Sequence, residues 1–196
     1  MIPKLIGPRV SLAPMSPDAA EQLATWFNDL EVALPVGDEA YQTITTDRLR
    51  TSLSTSEHDF VILTDVAGTP TPIGRCLLFA VNHVDRHAML GICIGDKSHW
   101  NRGLGGEAVE LLLEYAFNLL NLSSVILATF AFNSRAISCY RRIGFREIGR
   151  RRKARLIAGT HHDAILMDML AEEFTGRYVR DLVDAVGNEP DPASAT

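Results

Sequence analysis

The stretch WNRGLGGEA at residues 100–108 decides how the rest of the chain is interpreted. Three glycines fall within four positions, and residues 108–120 after them form a strongly helical, mostly apolar run. Glycine adopts positive φ without strain and lets a ligand approach main-chain N–H groups. The N-terminus of a helix adds unpaired N–H donors and a partial positive charge. The stretch therefore predicts a pyrophosphate site followed by a largely buried helix.

The same stretch matches the dinucleotide-binding fingerprint G-x-G-x-x-A at Gly103, Gly105 and Ala108, but the residues before and after it do not fit that motif. That fingerprint comes directly after a strand, and an acidic side chain that binds the ribose follows about twenty residues later. Here residues 96–102 intervene, and the next predicted strand ends in Phe132-Asn133. No Gly-Lys-Ser/Thr follows the glycines, which excludes a P-loop. A tight strand–helix connection without a ligand is the alternative interpretation.

Composition narrows the class of protein. A chain of 196 residues with 46% apolar and 22% charged residues is typical of one globular domain. Its net charge of −5 argues against nucleic-acid binding. The three cysteines (Cys76, Cys93 and Cys139) have neither disulfide nor zinc spacing, so we expect reduced thiols. His161, His162 and Asp163 have no further ligands at suitable spacing, so we expect no bound metal. Without a signal peptide or spanning segment, we expect a cytoplasmic protein with no membrane partner.

Hydrophobic periodicity and turn residues predict a mixed α/β sheet with helices packed on it. The predicted strands are 5–15, 60–64, 73–84, 89–94, 124–132, 147–157 and 164–170. The first predicted helix begins at Ser16. The other predicted helices are 46–53, 108–120, 134–143 (with Ser134 as N-cap) and 178–186. Strand 89–94 is apolar on both faces and is therefore predicted to be central. We expect one domain over residues 1–174 and an extension over 175–196, which ends in a disordered tail from residue 188.

A second constellation follows strand 124–132. Asn133, Ala136, Tyr140, Gly144 and Phe145 lie at offsets 0, 3, 7, 11 and 12. With the glycine stretch one strand earlier, this pattern resembles the GCN5-related N-acetyltransferase (GNAT) superfamily, in the branch of ribosomal-protein N-terminal acetyltransferases and spermidine acetyltransferases. The other similar stretches are 9–12, 26–29, 90–96 and 163–174. The resemblance implies an α+β sandwich (GNAT fold) in which a mostly antiparallel, twisted sheet of about seven strands has helices on both faces.

The resemblance also implies an activity, transfer of an acetyl group from acetyl-CoA to a primary amine by direct attack in a ternary complex. The acceptor would be a protein N-terminus, a polyamine or another small amine, and the protein a monomer or homodimer. Tyr140 would be the catalytic residue, because a phenol is protonated at neutral pH and can give its proton to the departing thiolate. The implied cofactor-binding residues are Cys93, Ile94, Asn101, Arg102, Gly103, Leu104, Gly105, Gly106, Asn133, Ala136 and Tyr140.

One departure concerns Met89, where similar proteins of this branch tend to carry a glutamate that acts as general base. The turn-flanking candidates to replace it are His83, Asp85, His87 and Asp96. Deprotonating a lysine-like amine at pH 7 costs about 4–5 kcal/mol, against about 1 kcal/mol for an α-amine, which favours an α-amine acceptor slightly. A coenzyme A-binding sensor or interaction protein that has lost the base is the alternative function.

The sequence indicates less about how the acceptor binds than about how the acetyl donor binds. Recognition is expected on residues 26–36, 41–53 and the final hairpin. That hairpin carries a basic segment, Arg146 and residues 150–155, with charges on both faces. An exposed edge strand protected from aggregation is the first interpretation. The alternatives are a site for an acidic acceptor and a contact with the ribose phosphate of the cofactor.

Overall fold

The computed structural model describes residues 1–187 and contains one eight-stranded sheet. Its strands are β1 Leu5–Ile6, β2 Val10–Pro14, β3 Asp59–Val66, β4 Thr69–Asn82, β5 His87–Ile94, β6 Ser124–Phe130, β7 Arg146–Ile157 and β8 Thr160–Leu170. They lie in the order β1-β2-β3-β4-β5-β6-β8-β7, and every neighbouring pair is antiparallel except β5 and β6. The mostly antiparallel mixed sheet expected from the sequence is thus confirmed, with β5 inside it.

Helices cover both faces of this sheet. They are α1 Ala20–Phe27, α2 Leu30–Ala33, α3 Thr46–Leu53, α4 Leu104–Glu114, α5 Ser134–Ile143 and α6 Tyr178–Gly187. Successive strand residues point to opposite faces, so each strand supplies two cores. Leu90 of β5 packs with α4 and α5, whereas Cys93 packs with α1 and α3. The sheet therefore separates two layers of helices, each with its own core.

The first predicted strand, residues 5–15, is two strands, which explains eight strands where about seven were expected. The N–H of Gly7 donates to the carbonyl of Val10 at 2.8 Å, and Leu5 pairs with Leu12 across the resulting hairpin. The available signal was the Gly7-Pro8 pair, a dipeptide typical of turns, through which the predicted strand was continued.

The helix after the glycine stretch begins at Leu104 rather than at Ala108. Burial of Leu104 outweighs the low helix propensity of the two glycines behind it. The helix then continues as a π-helical turn over Tyr115–Leu119. Its predicted polar stripe includes Glu114, which is buried and accepts from the N–H groups of Tyr178 (2.8 Å) and Val179 (3.3 Å). This carboxylate fixes the start of α6 on the domain.

Other local predictions are confirmed. Helix α5 has the predicted bounds and ends at Gly144, whose φ of 117° suits a glycine C-cap. The final hairpin turns at Ala158-Gly159, β7 is the edge strand, and α6 begins at the predicted Tyr178. The tail predicted to be disordered, residues 188–196, lies outside the described residues.

Strands β5 and β6 pair over a short length only. The registered pairs are His87 with Ser124, Ala88 with Val125 and Met89 with Ile126. Both strands run on past these positions without further registered pairs. The sheet therefore opens as a wedge between the second halves of its two central strands.

A buried ion pair holds the neighbouring strands together. The guanidinium of Arg75 on β4 donates to both carboxylate oxygens of Asp59 on β3, at 2.9 and 2.6 Å, and the Asp59 side chain has no exposed area. We predict that Asp59→Asn lowers the free energy of unfolding by about 3 kcal/mol, because it leaves a largely buried cation without its counter-charge. Urea denaturation followed by circular dichroism measures this.

Asp47→Asn is the matched control. Asp47 forms an ion pair of 3.2 Å with Arg50, but its side chain is 93% exposed. The same chemical change there should cost less than about 1 kcal/mol. Equal losses in the two variants would contradict a special role for the buried pair.

Candidate active site

The wedge between β5 and β6 is a cleft of about 820 Å³. One wall is β5 from Met89 to Ile94, and the other is β6 from Ala128 to Phe130. The first turn of α4 and the inner side of α5 line it on one face of the sheet, and residues 35–39 line it on the other. The cleft therefore connects the two faces, so that two substrates can enter from opposite sides.

The glycine stretch presents main-chain donors to this cleft. Asn101 and Gly103 adopt positive φ, 60° and 80°. Within residues 1–187, the N–H groups of residues 101–105 make no hydrogen bond, whereas that of Gly106 donates to the carbonyl of Gly103 at 3.1 Å. A cradle of unpaired N–H groups at the start of a helix fits a pyrophosphate.

Two glycines also set how closely α4 approaches its neighbours. A Cβ on Gly105 would lie 3.5 Å from Cγ1 of Ile94, and one on Gly106 would lie 3.3 Å from the Sγ of Cys139. A side chain at Gly105 would stand between the helix and β5, where a ligand chain must pass. Gly106 has a packing role in addition, since it lets α4 approach α5.

An ionic contact anchors the loop to the first hairpin. The carboxylate of Glu107 accepts from the main-chain N–H of Arg9 (2.6 Å), from that of Val10 (3.0 Å) and from Nε of Arg9 (2.9 Å). Nη1 of Arg9 in turn donates to the carbonyl of Arg102 at 2.9 Å. The loop conformation is thus fixed from outside the cleft, which leaves its donors available.

Tyr140 lies on the inner side of α5 and lines the cleft. It is 9% exposed, and its ring packs edge-on against Phe145 at 5.8 Å. Burial, with smaller contributions from Cys139 and Cys93, raises the pKa of Tyr140 far above its ordinary value. The phenol is therefore neutral at physiological pH, and in residues 1–187 its hydroxyl has no hydrogen-bond partner. It is available to donate a proton into the cleft.

Asn133 corrects one prediction, because it is the N-cap of α5 in place of Ser134. Its Oδ1 accepts from the N–H of Ala136 at 3.2 Å, and both residues line the cleft. The amide nitrogen of Asn133 makes no hydrogen bond within residues 1–187 and is left for a ligand. That group is a donor, so it suits a carbonyl oxygen on the ligand chain.

Cys93 and Ile94 line the cleft from β5. Nε1 of Trp100 donates to the carbonyl of Ile94 at 2.7 Å, and the guanidinium of Arg135 stacks on the Trp100 ring at 4.2 Å. These contacts join the strand, the glycine stretch and α5 at the mouth of the cleft.

Two cations near the glycine stretch lie outside the main cleft. Arg102 is exposed and lines a separate shallow cleft with Pro8 and Arg9, so it is the one predicted cofactor-binding residue outside the main cleft. Lys97 is paired with Asp29 at 2.7 Å and Glu31 at 2.9 Å.

None of the four candidate bases lines the cleft. His83 and Asp85 lie in the β4–β5 turn, and His87 lies at the paired end of β5. The side chain of Asp96 is engaged by Ser98 and His99, and although burial opposes it, these hydrogen bonds lower the pKa of Asp96.

Asp38 and Glu39 line the far side of the cleft and were not predicted from the sequence, whereas Arg155, which lines it too, belongs to the predicted basic segment. Arg155 also corrects the prediction of an exposed basic segment. Its side chain is 5% exposed, pairs with Asp38 at 3.0 Å and stacks on Phe130 at 4.2 Å. A Pro-Val-Gly break before Asp38 was the available signal, but the predicted recognition segments stopped at 36 and resumed at 41.

Comparison with known proteins agrees with this architecture. Residues 9–146 match the model of the acetyltransferase (GNAT) domain family, which is more than half of the chain. The chain belongs to this family, and the resemblance noted in its sequence is confirmed.

The relatives include both groups expected from the resemblance, one named a spermidine acetyltransferase and one named a ribosomal acetyltransferase. The chain is 30% identical to spermidine N(1)-acetyltransferase of Escherichia coli K12 over 123 residues, and the match covers 63% of each chain. It is 31% identical over 103 residues to the Bacillus subtilis protein named "Putative ribosomal N-acetyltransferase YdaF", which covers 53% of this chain and 56% of the relative. The matched segments thus span less than two thirds of these relatives.

Among solved structures, spermidine N-acetyltransferase from Vibrio cholerae in complex with CoA and spermine superposes with a TM-score of 0.77. The sequences are 22% identical, and the match covers 85% of this chain and 98% of the other. This likeness establishes the fold.

The described part of the chain, residues 1–187, lacks two further features. None of its helices is long and apolar enough to cross a bilayer. No group of three or more potential metal ligands occurs in residues 1–187.

The loop anchor can be tested directly. We predict that Glu107→Ala weakens coenzyme A binding about tenfold, because the N–H groups of Arg9 and Val10 lose their acceptor and the loop loses its fixed conformation. Isothermal titration calorimetry measures the Kd. Glu110→Ala, an exposed position on the same helix, is the control. Unchanged affinity in Glu107→Ala would show that the loop holds its shape without the anchor.

Proposed function

We propose that this protein is an N-acetyltransferase that moves the acetyl group of acetyl-CoA to a primary amine within a ternary complex. One observation carries the proposal: the unpaired N–H groups of the glycine stretch and the buried hydroxyl of Tyr140 line the same cleft. Family membership supports it, because relatives of this chain are named acetyltransferases.

The donor half of the cleft fits an acyl-CoA. The N–H groups of residues 101–105 receive the pyrophosphate, and the pantetheine arm lies along the unpaired edge of β5 near Cys93 and Ile94. The amide nitrogen of Asn133 donates to a carbonyl of that arm. An N–H of β5 that points away from β4 can stabilise the carbonyl oxygen of the thioester as charge develops on it.

Tyr140 then completes the transfer. The amine nitrogen forms a bond to the thioester carbonyl carbon, and the carbon–sulfur bond breaks with its electron pair on sulfur. Tyr140 gives its proton to that sulfur, and the proton lost by the nitrogen restores the phenol through solvent. Because burial keeps Tyr140 protonated, the donor is present over the whole physiological pH range.

The acceptor class follows from relatives and from the far side of the cleft. Spermidine is the acceptor named for the Escherichia coli relative, so polyamines are the first amines to test. A protein N-terminus is the second class, in line with the name of the Bacillus subtilis relative. Burial of the Arg155 side chain and its pairing with the exposed Asp38 remove one cation that an acidic acceptor would use.

A thiol-release assay with acetyl-CoA and a panel of amines tests the proposal. The panel contains spermidine, spermine, lysine and a short peptide with a free α-amine. Amine-dependent release of coenzyme A supports the activity.

A coenzyme A-binding sensor is the second candidate function, because Met89 places a thioether on the cleft wall where a base is expected. Tight coenzyme binding without turnover of any amine would favour that function over the transferase.

We predict that Tyr140→Phe lowers kcat about 100-fold and changes the Kd of coenzyme A less than about twofold, because only the proton donor is lost. Steady-state kinetics and calorimetry measure the two quantities. Tyr115→Phe is the matched control, since the Tyr115 hydroxyl contacts His58 at 3.0 Å outside the cleft. A kcat within threefold of the parent would remove Tyr140 from the chemistry.

We further propose a cytoplasmic location, supported by three free cysteines of which Cys139 is only half-buried, a composition suited to a reducing compartment. For the oligomeric state of the protein, the prediction is still a monomer or a homodimer. A spermidine N-acetyltransferase from Vibrio cholerae is dodecameric, so multi-angle light scattering should be run before kinetics are interpreted.

A further inference from the structure

Glu39 is the feature that the donor half of the cleft leaves unexplained. It lies in a short 3-10 helix, Asp38–Tyr41, that follows Gly37 and lines the cleft opposite the glycine stretch. The side chain is half-buried, and in residues 1–187 no hydrogen bond or ion pair engages its carboxylate. A carboxylate held at the wall of a cleft without a cation is available to a ligand.

Its neighbours are held firmly. Arg155 donates to the carbonyl of Gly37, pairs with Asp38 at 3.0 Å and stacks on the ring of Tyr41 at 4.5 Å. These contacts fix the short helix on both sides of Glu39. The backbone beneath the carboxylate is therefore rigid even though the carboxylate itself is unpaired.

The carboxylate also folds back over Gly37. A Cβ at Gly37 would lie 2.6 Å from Oε2 of Glu39, closer than real Cβ contacts come. Gly37 is in extended backbone that any residue adopts, so its lack of a side chain matters here for space alone. The glycine thus permits the present position of the carboxylate.

Cys93 relates Glu39 to the proton donor. Burial raises the pKa of Cys93 to about 12, and the charge of Glu39 adds to that effect. Cys93 in turn contributes to the raised pKa of Tyr140. Glu39 and Tyr140 therefore both lie within electrostatic range of the same β5 residue, one from each side of the cleft.

An amine that is protonated at neutral pH must lose a proton before it attacks, and Met89 cannot take it. Among the residues that line the cleft, Asp38 is the other carboxylate, and it is paired with Arg155. His99 also lines the cleft, but its Nδ1 is engaged by Asp96 and Ser98. We propose that Glu39 binds the ammonium group of the acceptor and takes its proton, as the general base of the reaction.

This proposal rests on the proposed transferase function. In the step it describes, a nitrogen–hydrogen bond of the ammonium group breaks and its proton passes to a carboxylate oxygen of Glu39. The freed lone pair of the nitrogen forms the bond to the carbonyl carbon, and sulfur leaves with the proton of Tyr140. The nitrogen then loses a second proton, which restores the phenol of Tyr140 through solvent. Glu39 returns the first proton to solvent, so one net proton is released with the amide and the free thiol.

The decisive variant is Glu39→Gln, assayed on the full chain with acetyl-CoA and the panel amine that the unaltered protein turns over fastest. We expect kcat at saturating amine to fall about 100-fold, while the KM for acetyl-CoA changes less than about twofold. Glu39→Asp, which keeps the carboxylate, should recover part of the loss. Thermal unfolding of each variant checks that the fold is intact.

Gly37→Ala provides a second route to the same site. Its new methyl group must displace the Glu39 carboxylate and leave every charge in place, so we expect kcat to fall about tenfold. Glu57→Gln is the matched control, because this side chain is 87% exposed and lies outside the cleft. It should behave like the unaltered protein.

The outcomes separate the two proposals. If the unaltered protein releases no thiol with any amine, the transferase function itself fails. If it is active and Glu39→Gln keeps kcat within threefold, Glu39 is not the base. A loss confined to the KM for the amine would also overturn the proposal, since it would show binding of the ammonium group without proton transfer.

Discussion

The structure depends on a backbone constraint at the centre of the sheet. Parallel strands β5 and β6 share only three registered pairs, and beyond them each strand has one edge without a partner. Unpaired main-chain groups inside a protein are costly unless something satisfies them. A ligand that runs along β5 as an extended chain would do so. The wedge thus combines unpaired strand edges with the donors of the glycine stretch and Tyr140.

The two halves of the cleft differ in how their charges are arranged. On the donor side the groups are main-chain N–H donors and a neutral phenol, fixed from outside by the contact of Glu107 with Arg9. On the far side the carboxylates of Asp59 and Asp38 are paired with Arg75 and Arg155, whereas that of Glu39 has no partner within residues 1–187. An unpaired carboxylate on the wall of a cleft favours contact with a cation at that point.

The sequence predicted best what local chemistry controls. Helix α5 has the predicted bounds, because Gly144 ends it by conformational preference, and the hairpin at Gly159 follows from turn residues. The start of α4 was misplaced by four residues, since tertiary burial of Leu104 outweighs the propensity of glycine. Burial of Arg155 was not predictable, because its partners lie on a distant loop. Glu39 was missed because it lies in the gap between two predicted elements, where periodicity carries no information.

The contact of Arg155 with Asp38 joins residues that lie 117 positions apart in the chain. By contrast, the loop, helices and strands that form the donor half come from one nearly continuous stretch between β5 and Gly144. Closing a long loop carries an entropic cost that local contacts do not repay, so long-range contacts tend to form late. During synthesis the acceptor wall can be completed only after the final hairpin has emerged. The wall proposed to face the acceptor is therefore the last part of the cleft to be completed.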